Sequence, residues 1–373
     1  MKSARSNSAE LSVASLHAEA VQLRESGNYE RAAAVARRAL GFVERRDGRS
    51  HPDVAAMLLE LGQALEASDR WDDARGHYAR ADRLLRPYAR TANSAIRRLR
   101  VKAARALCGV YRMLGRYPLS DRQGRRAVAL AERGLGRRDL DLAGALNDLG
   151  MLRKYQGRYP EAVPLYRRAL HILRRAGLGE SADAASVFHN LGGIEHARGR
   201  YLRAEGPARR AIDLRTRALG PRHPAVAADV AALAAILEGR HKYREAAEHY
   251  RCALETFRRH FGPRSYEVSV NLAGLAGVQQ ALGNLKTAER LYRDALGIQR
   301  GLFGARHFES ALTLANLAVV LWDRGCHPQA VREGRRALRF ARAAAGPRHP
   351  ITRDCESNVR GMIAAMRILR RAR

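Results

Sequence analysis

Lysine is almost missing from this 373-residue sequence: Lys2, Lys102, Lys154, Lys242 and Lys286 are the whole set, so the 68 basic residues are nearly all arginine. Acidic residues number only 37, leaving a net charge of +31. Such a charge predicts attraction to nucleic acid, anionic lipid or acidic proteins. A coding bias that places arginine for lysine on solvated helix faces accounts for the same excess. Aromatic residues are 6% of the chain while alanine and leucine abound, which argues against a sheet and for closely packed helices. Cys108, Cys252, Cys326 and Cys355 are scattered with no Cys-x-x-Cys pair, as expected of free thiols in a reducing compartment. The most apolar stretch, residues 225–237, contains Asp229 and falls well short of a membrane span. The opening residues carry no apolar signal region, and no Pro/Ser-rich or low-complexity linker divides the chain. A soluble, cytoplasmic protein with one domain over 10–371 and a disordered tail at 1–9 is expected.

What is present is a repeat. With the residue after a Gly-x turn as anchor, the equivalents are Tyr29, Trp71, Tyr117, Tyr159, Tyr201, Tyr243, Leu285 and His327. Each interval is 42 residues except Trp71 to Tyr117, which is 46. Three residues after the anchor stand Ala32, Ala74, Ser120, Ala162, Ala204, Ala246, Ala288 and Ala330. Ten after it, alanine recurs without exception from Ala39 to Ala337. Ten before it come leucines from Leu61 to Leu317, each followed by a small residue such as Gly62, Cys108, Gly150 or Ala234. Apolar residues thirteen, ten and seven before the anchor, as in Leu146, Leu149 and Leu152, form a helical stripe. Each unit therefore reads as two helices joined at the turn. Glycines such as Gly115 and Gly157 stop the first helix, and Pro118, Pro160 and Pro328 sit just inside the second. Linkers such as "GRSHP" (48–52), "GPRHP" (220–224 and 346–350) and "GARHF" (304–308) separate the units, with their histidines as caps or linker contacts. The segment 86–100 holds the four extra residues and lacks this linker, which predicts a local change in geometry.

The aligned columns resemble the tetratricopeptide repeat, and the 42-residue length with "RYPEAVPLYRRAL" is similar to the longer repeats of kinesin light chains and nephrocystin-like proteins. No heptad coiled coil precedes the repeats, which argues against membership of a motor. The resemblance implies an all-α protein: an α-solenoid, a right-handed superhelix of about eight helix pairs, closed by a capping helix near 351–371. It also implies that the first helices line a concave groove that takes extended peptides.

No P-loop, His-Glu-x-x-His, Gly-x-Ser-x-Gly or EF-hand loop occurs, so no enzyme, cofactor or metal site is expected. His241, Glu245 and His249 have ligand-like spacing, but His241 falls in a turn; Asp139 and Asp141 lie in a linker and read as caps. On the helical wheel, the first-helix face opposite the buried stripe gives Lys102, Arg105, Arg112, Asn147, Lys154, His189 and His196, with Asn190 at its edge. Beyond them come Ala231, Glu238, Ala273, Gln280, Asn316 and Trp322, a less basic set. Amides that donate and accept can hold a peptide backbone, and the cations would favour an acidic segment. The expectation is a non-enzymatic scaffold or adaptor. On the second helices, Arg37, Arg125, Arg167, Arg209, Arg251, Arg293 and Arg335, followed by Arg38, Arg80, Arg126, Arg168, Arg210 and Arg336, are predicted to form an outward ridge. That ridge is the basis of an alternative, a solenoid that binds nucleic acid or another polyanion through its convex face.

Overall fold

The computed structural model describes residues 2–304, 307–347 and 350–371. These form seventeen helices and, among the described residues, no strand. In chain order they are α1 (Lys2–Glu25), α2 (Tyr29–Asp47), α3 (Pro52–Ala67), α4 (Trp71–Leu84), α5 (Ser94–Met113), α6 (Tyr117–Gly134), α7 (Leu140–Tyr155), α8 (Tyr159–Arg175), α9 (Ala182–Ala197), α10 (Tyr201–Leu219), α11 (Pro224–Gly239), α12 (Tyr243–Phe261), α13 (Tyr266–Ala281), α14 (Leu285–Phe303), α15 (Phe308–Asp323), α16 (His327–Ala345) and α17 (Pro350–Arg371). The helix α1 runs through residues 2–9 of the expected tail. Two compact units emerge, Met1–Ile194 and Glu195–Arg373, with the boundary inside α9.

Every anchor residue is the first residue of a second helix, from Tyr29 at the start of α2 to His327 at the start of α16. Two positions earlier the backbone turns left-handed at Gly27, Gly115, Gly157, Gly199, Gly283 and Gly325, with φ between 68° and 80°. The same conformation falls on Asp69 (φ 58°) and His241 (φ 59°), where a Cβ makes it costlier. The repeat geometry therefore imposes the turn whatever residue occupies it. His241 directs Nδ1 to the Tyr243 hydroxyl, 2.6 Å away, rather than joining Glu245 and His249.

The linker residues cap the helices that follow. Nδ1 of His51, His223 and His307 accepts from the backbone N–H of Asp53, Ala225 and Glu309 at 3.3, 3.1 and 3.3 Å. Asp139 does the same for α7 from the N–H of Asp141, 2.9 Å away. Arg98 then forks across Asp139 and Asp141, so this acid pair is structural. Residues 305–306 and 348–349, including the linker histidine His349, lie outside the described residues.

Packing follows the small-residue columns. The residues three after the anchor, Ser120 among them, all have zero exposure, and the alanines ten after it are at most 1% exposed. A column that the sequence pattern did not single out explains the glycines. Seven after the anchor stand Tyr78, Tyr166, Tyr250 and Tyr292, all buried. A Cβ at Gly150 would lie 2.7 Å from the Tyr166 ring, and one at Gly62 would collide with Tyr78. Ring and glycine are two halves of one contact.

Within each unit the first helices pack on one another: α3 with α5 and α5 with α7, then α11 with α13, α13 with α15 and α15 with α17. Inside either unit, among the described residues, no second helix packs directly on the next. The first helices therefore line the shorter, inner side of each unit. Long ion pairs bridge the outer side. Arg80 reaches Glu44 at 2.5 Å, Arg126 reaches Asp82 at 2.8 Å, Arg168 reaches Glu132 at 2.5 Å, and Arg209 reaches Glu245 at 2.5 Å.

These bridges correct the predicted ridge. The first arginine column, from Arg37 to Arg335, is exposed throughout. In the second column Arg38 is exposed, but Arg80, Arg126, Arg168, Arg210 and Arg336 are half-buried and ion-paired. One residue of rotation, about 100°, turns Arg80, Arg126 and Arg168 toward the neighbouring repeat, while Arg210 and Arg336 lie back along their own helices.

The irregular segment has a simple form. Four extra residues extend α5 to 20 residues, against 16 in α3 and α7, so one added turn keeps the inner face in register. The helix before it, α4, is short at 14 residues. The connection is held by Arg97 Nε on the Thr91 carbonyl at 2.7 Å and an Arg100 N–H on the Ala89 carbonyl at 2.9 Å. Asn93 caps α5 through two backbone N–H groups. At the far end α17 buries Cys355, Val359 and Met362 against the last pair, as expected of a cap.

Two outcomes test this architecture. Ala169, with zero exposure at a helix contact, should not tolerate Leu: Ala169→Leu is expected to lower unfolding free energy by about 1–3 kcal/mol in a denaturant titration. Conversely, Asp69→Gly should raise it by about 0.5–1 kcal/mol by removing the Cβ from a left-handed position. A destabilising effect there would show that Asp69 has a role beyond the turn.

Candidate functional site

The inner side of the first unit gathers the sequence-predicted cations. Lys102, Arg105 and Arg112 lie on one face of α5 and line a cleft of about 360 Å³ with Gln63, Glu66, Tyr78 and Asp148. Lys102 is exposed, whereas Arg105 and Arg112 are half-buried. Arg105 donates from Nε to Asp148 at 2.7 Å and sits 4.0 Å from Asp141, and the Asp148 carboxylate raises its pKa further. The Arg112 guanidinium stacks over the Tyr155 ring, 4.7 Å from its centroid. Arg105 is therefore engaged inside the protein, while Lys102 is open to solvent.

The amides form a ladder of their own. Asn190, buried on α9, donates from Nδ2 to Oδ1 of Asn147 on α7 at 3.0 Å. The two predicted backbone-holding amides thus satisfy each other in part, leaving the Asn147 amide nitrogen near the Met151 sulfur at 3.9 Å. His189 is half-buried on α9. His196 belongs to the second unit, where its ring meets Tyr201 edge-on at 5.4 Å.

Lys154 has the most demanding environment. Its Nζ lies over the α9 backbone, where a Cβ at Gly193 would come within 2.5 Å of it. Burial, and then the nearby positive charge of Arg112, lowers its pKa from the ordinary 10.5. Among the described residues Lys154 has no ion pair, and no carboxylate offsets the effect of burial and Arg112. A half-buried cation without a counter-charge is costly unless something supplies one.

Sequence reading missed three groups that shape this site: Glu66, Asp148 and Tyr78. The Tyr78 hydroxyl donates to Glu66 at 2.6 Å, and burial raises the Glu66 pKa. Glu66 stands five before its anchor, the column that also supplies Arg112 and Lys154, so its position was legible. Asp148 sits beside Asn147 in "LNDL". Its pairing across to α5 was not legible, because 43 residues separate it from Arg105.

The inner side of the second unit is different. Ala231, Glu238, Ala273 and Asn316 line a cleft of about 460 Å³ together with Val270 and Leu312. Gln280 is bound to Asp323 at 2.8 Å, and Trp322 packs its ring on His327 at 4.3 Å. This face carries no lysine or arginine on the cleft, in keeping with the less basic set read from the sequence.

Known proteins share this architecture. No curated protein matches the chain. Among solved structures, BtubC (BKLC) from P. vanneervenii matches with a TM-score of 0.54 at 23% identity, over 63% of this chain and 92% of that one. A Rap protein complexed with Competence and Sporulation Factor matches with a TM-score of 0.57 at 11% identity, over 95% of this chain and 98% of that one. A Signal Transduction ATPase with Numerous Domains (STAND) protein with a tetratricopeptide repeat sensor, from Pyrococcus horikoshii, matches with a TM-score of 0.56 at 18% identity, over 82% of this chain but 44% of that one. These identities speak to the fold alone. No helix among the described residues is long and apolar enough to cross a membrane. The tetratricopeptide repeat family model matches residues 99–175, 183–259, 227–301 and 266–343, which is more than half of the sequence, and the chain belongs to the tetratricopeptide repeat family.

Proposed function

We propose that this protein is a non-enzymatic scaffold that holds an extended, acidic segment of a protein partner along the inner side of its first unit. The observation that carries the reading is Lys154: a half-buried ammonium with a lowered pKa, an arginine beside it and no described carboxylate in reach. A ligand carboxylate would supply the missing charge. Lys102 and Arg112 extend the positive surface toward α5, and the Asn147–Asn190 pair offers amide groups beside it. Glu66 and Asp148 narrow what fits, because they repel acidic groups from one part of the cleft. The preferred segment therefore carries its negative charge near Lys154 and neutral or basic residues near α3. Repetition of one helix pair favours an extended surface over a single reaction centre. The Rap relative is complexed with Competence and Sporulation Factor, so the fold is compatible with a bound partner.

Two measurements test the proposal. Peptides selected on the full chain from a random display library should be enriched in Asp and Glu. Their affinity, read by fluorescence anisotropy, should fall by about 1.5–3 kcal/mol in Lys154→Gln and by less than about 1 kcal/mol in Lys102→Gln, whose charge is exposed. Arg167→Gln, on the outer side, should leave affinity unchanged. Loss in Arg167→Gln with wild-type binding in Lys154→Gln would move the ligand to the outer arginines and favour the polyanion reading.

The second measurement is pH dependence. Binding requires the charged form of Lys154, whose pKa in the free protein is below 10.5. Affinity should therefore decline as pH rises through that lowered value, and Lys154→Arg should hold it to higher pH. The same decline in Lys154→Arg would assign the titration to another group.

A further inference from the structure

The added turn of α5 creates a second feature, away from the inner cleft. Between the 89–91 connection, the start of α5 and the end of α6 lies a cleft of about 420 Å³. Five arginines line it: Arg90, Arg97, Arg100, Arg126 and Arg133. No acidic side chain does. Asp82 is the nearby carboxylate, and it is already paired with Arg126 at 2.8 Å and with Arg86 at 3.9 Å.

The arginines differ in how far they are engaged. Arg97 spends its donors on the Thr91 and Gly134 carbonyls, at 2.7 and 3.0 Å, and Arg100 places one on Ala89. These bonds fix the guanidinium groups without neutralising them. The Arg100 Nε is buried and makes no hydrogen bond. Burial, and then the charge of Arg126, lowers the Arg100 pKa. Arg90 and Arg133 are exposed at the rim with no ion pair among the described residues. Across the rest of the chain, half-buried arginines such as Arg80, Arg168 and Arg215 face a carboxylate. Here only Arg126 has a carboxylate in ion-pair reach, while Arg90, Arg97, Arg100 and Arg133 have none among the described residues.

The spacing sets the size of anion that would fit. Arg126 and Arg133 are two helical turns apart on α6, about 10 Å along the axis. Arg97 and Arg100 are neighbours on one face of α5, about 4.5 Å apart along it. One phosphoryl group cannot meet both ends, whereas a chain of two or three can. Guanidinium forks suit phosphoryl oxygens in pairs. We infer that the cleft between the 89–91 connection, α5 and α6 is a binding site for a small oligophosphate, with Arg100 and Arg133 as its principal contacts.

The test uses the full chain and sodium tripolyphosphate in isothermal titration calorimetry, at constant ionic strength, with sulfate and inorganic phosphate as comparisons. Tripolyphosphate should bind at one site and more tightly than either. The double variant Arg90→Gln/Arg133→Gln touches only exposed rim residues and should keep the fold, checked by circular dichroism. It should weaken tripolyphosphate at least about tenfold, as expected for lost charge-assisted contacts. A matched double variant on the outer side, Arg37→Gln/Arg167→Gln, removes the same charge and should change affinity less than about twofold. Equal loss in both variants, or no preference over sulfate, would reduce the cleft to general attraction by a basic protein and overturn the inference. A short single-stranded RNA that displaces tripolyphosphate and loses affinity in the rim variant would also overturn it, assigning the cleft to a nucleic-acid backbone instead.

Discussion

Close approach of helices at the small-residue columns is the contact on which the rest depends. Ala162 and Ala169 on α8, or Ala246 and Ala253 on α12, leave no side chain to hold neighbouring backbones apart. Burying so many alanines yields little transfer energy per residue, so stability must come from many repeated contacts and from the larger groups between them. The tyrosines seven after the anchor supply that bulk, and each needs a glycine or alanine opposite. Where the tyrosine is replaced by Gly124, the facing position is Cys108, whose sulfur would stand 3.0 Å from a Cβ there. There both sides of the contact are small, and Leu149 Cδ1 closes in to the same 3.0 Å in place of the missing ring.

Once the helices are this close, the two sides of a unit cannot be equivalent. The first helices touch along the inner side and the second helices stand apart along the outer side. The side-chain environments divide along the same line. The inner side is crowded, and its charges are half-buried beside amides, so each has a distinct environment. The outer side carries exposed arginines in nearly uniform surroundings, which offer attraction with little selectivity. The arginine cleft at α5 and α6 is an exception that arises where the repeat length changes, and the added turn is what brings Arg97 and its neighbours to the end of α6.

Most of the helix architecture was legible because it is written eight times over. A single Gly-x-Tyr turn is a weak signal, but columns that align at 42 residues locate every second helix to its first residue. The caps were legible in part, since His51 and His223 stand directly before a proline at a helix start. The wheel places Lys102, Arg105 and Arg112 on one face of α5, and the three line one cleft. Pairing was not readable. Arg105 with Asp148, Asn190 with Asn147 and Arg126 with Asp82 join residues more than 40 positions apart, and neither the wheel nor composition ranks one such partner over another. The second arginine column was misassigned in part for the same reason: Arg80, Arg126 and Arg168 turn toward a carboxylate one repeat away, whereas Arg210 and Arg336 pair within their own helix.

Those carboxylates give each unit an uneven mechanical character. The inner side is joined by hydrocarbon in contact, which is short-ranged and barely responsive to ions. The outer side is joined by flexible arginine stems ending in half-exposed pairs such as Arg80–Glu44 and Arg168–Glu132. Such pairs soften as counter-ions accumulate. Added salt would therefore act as on a hinge, loosening the outer edge while the inner edge stays clasped, and a unit under these conditions would bend more easily without coming apart.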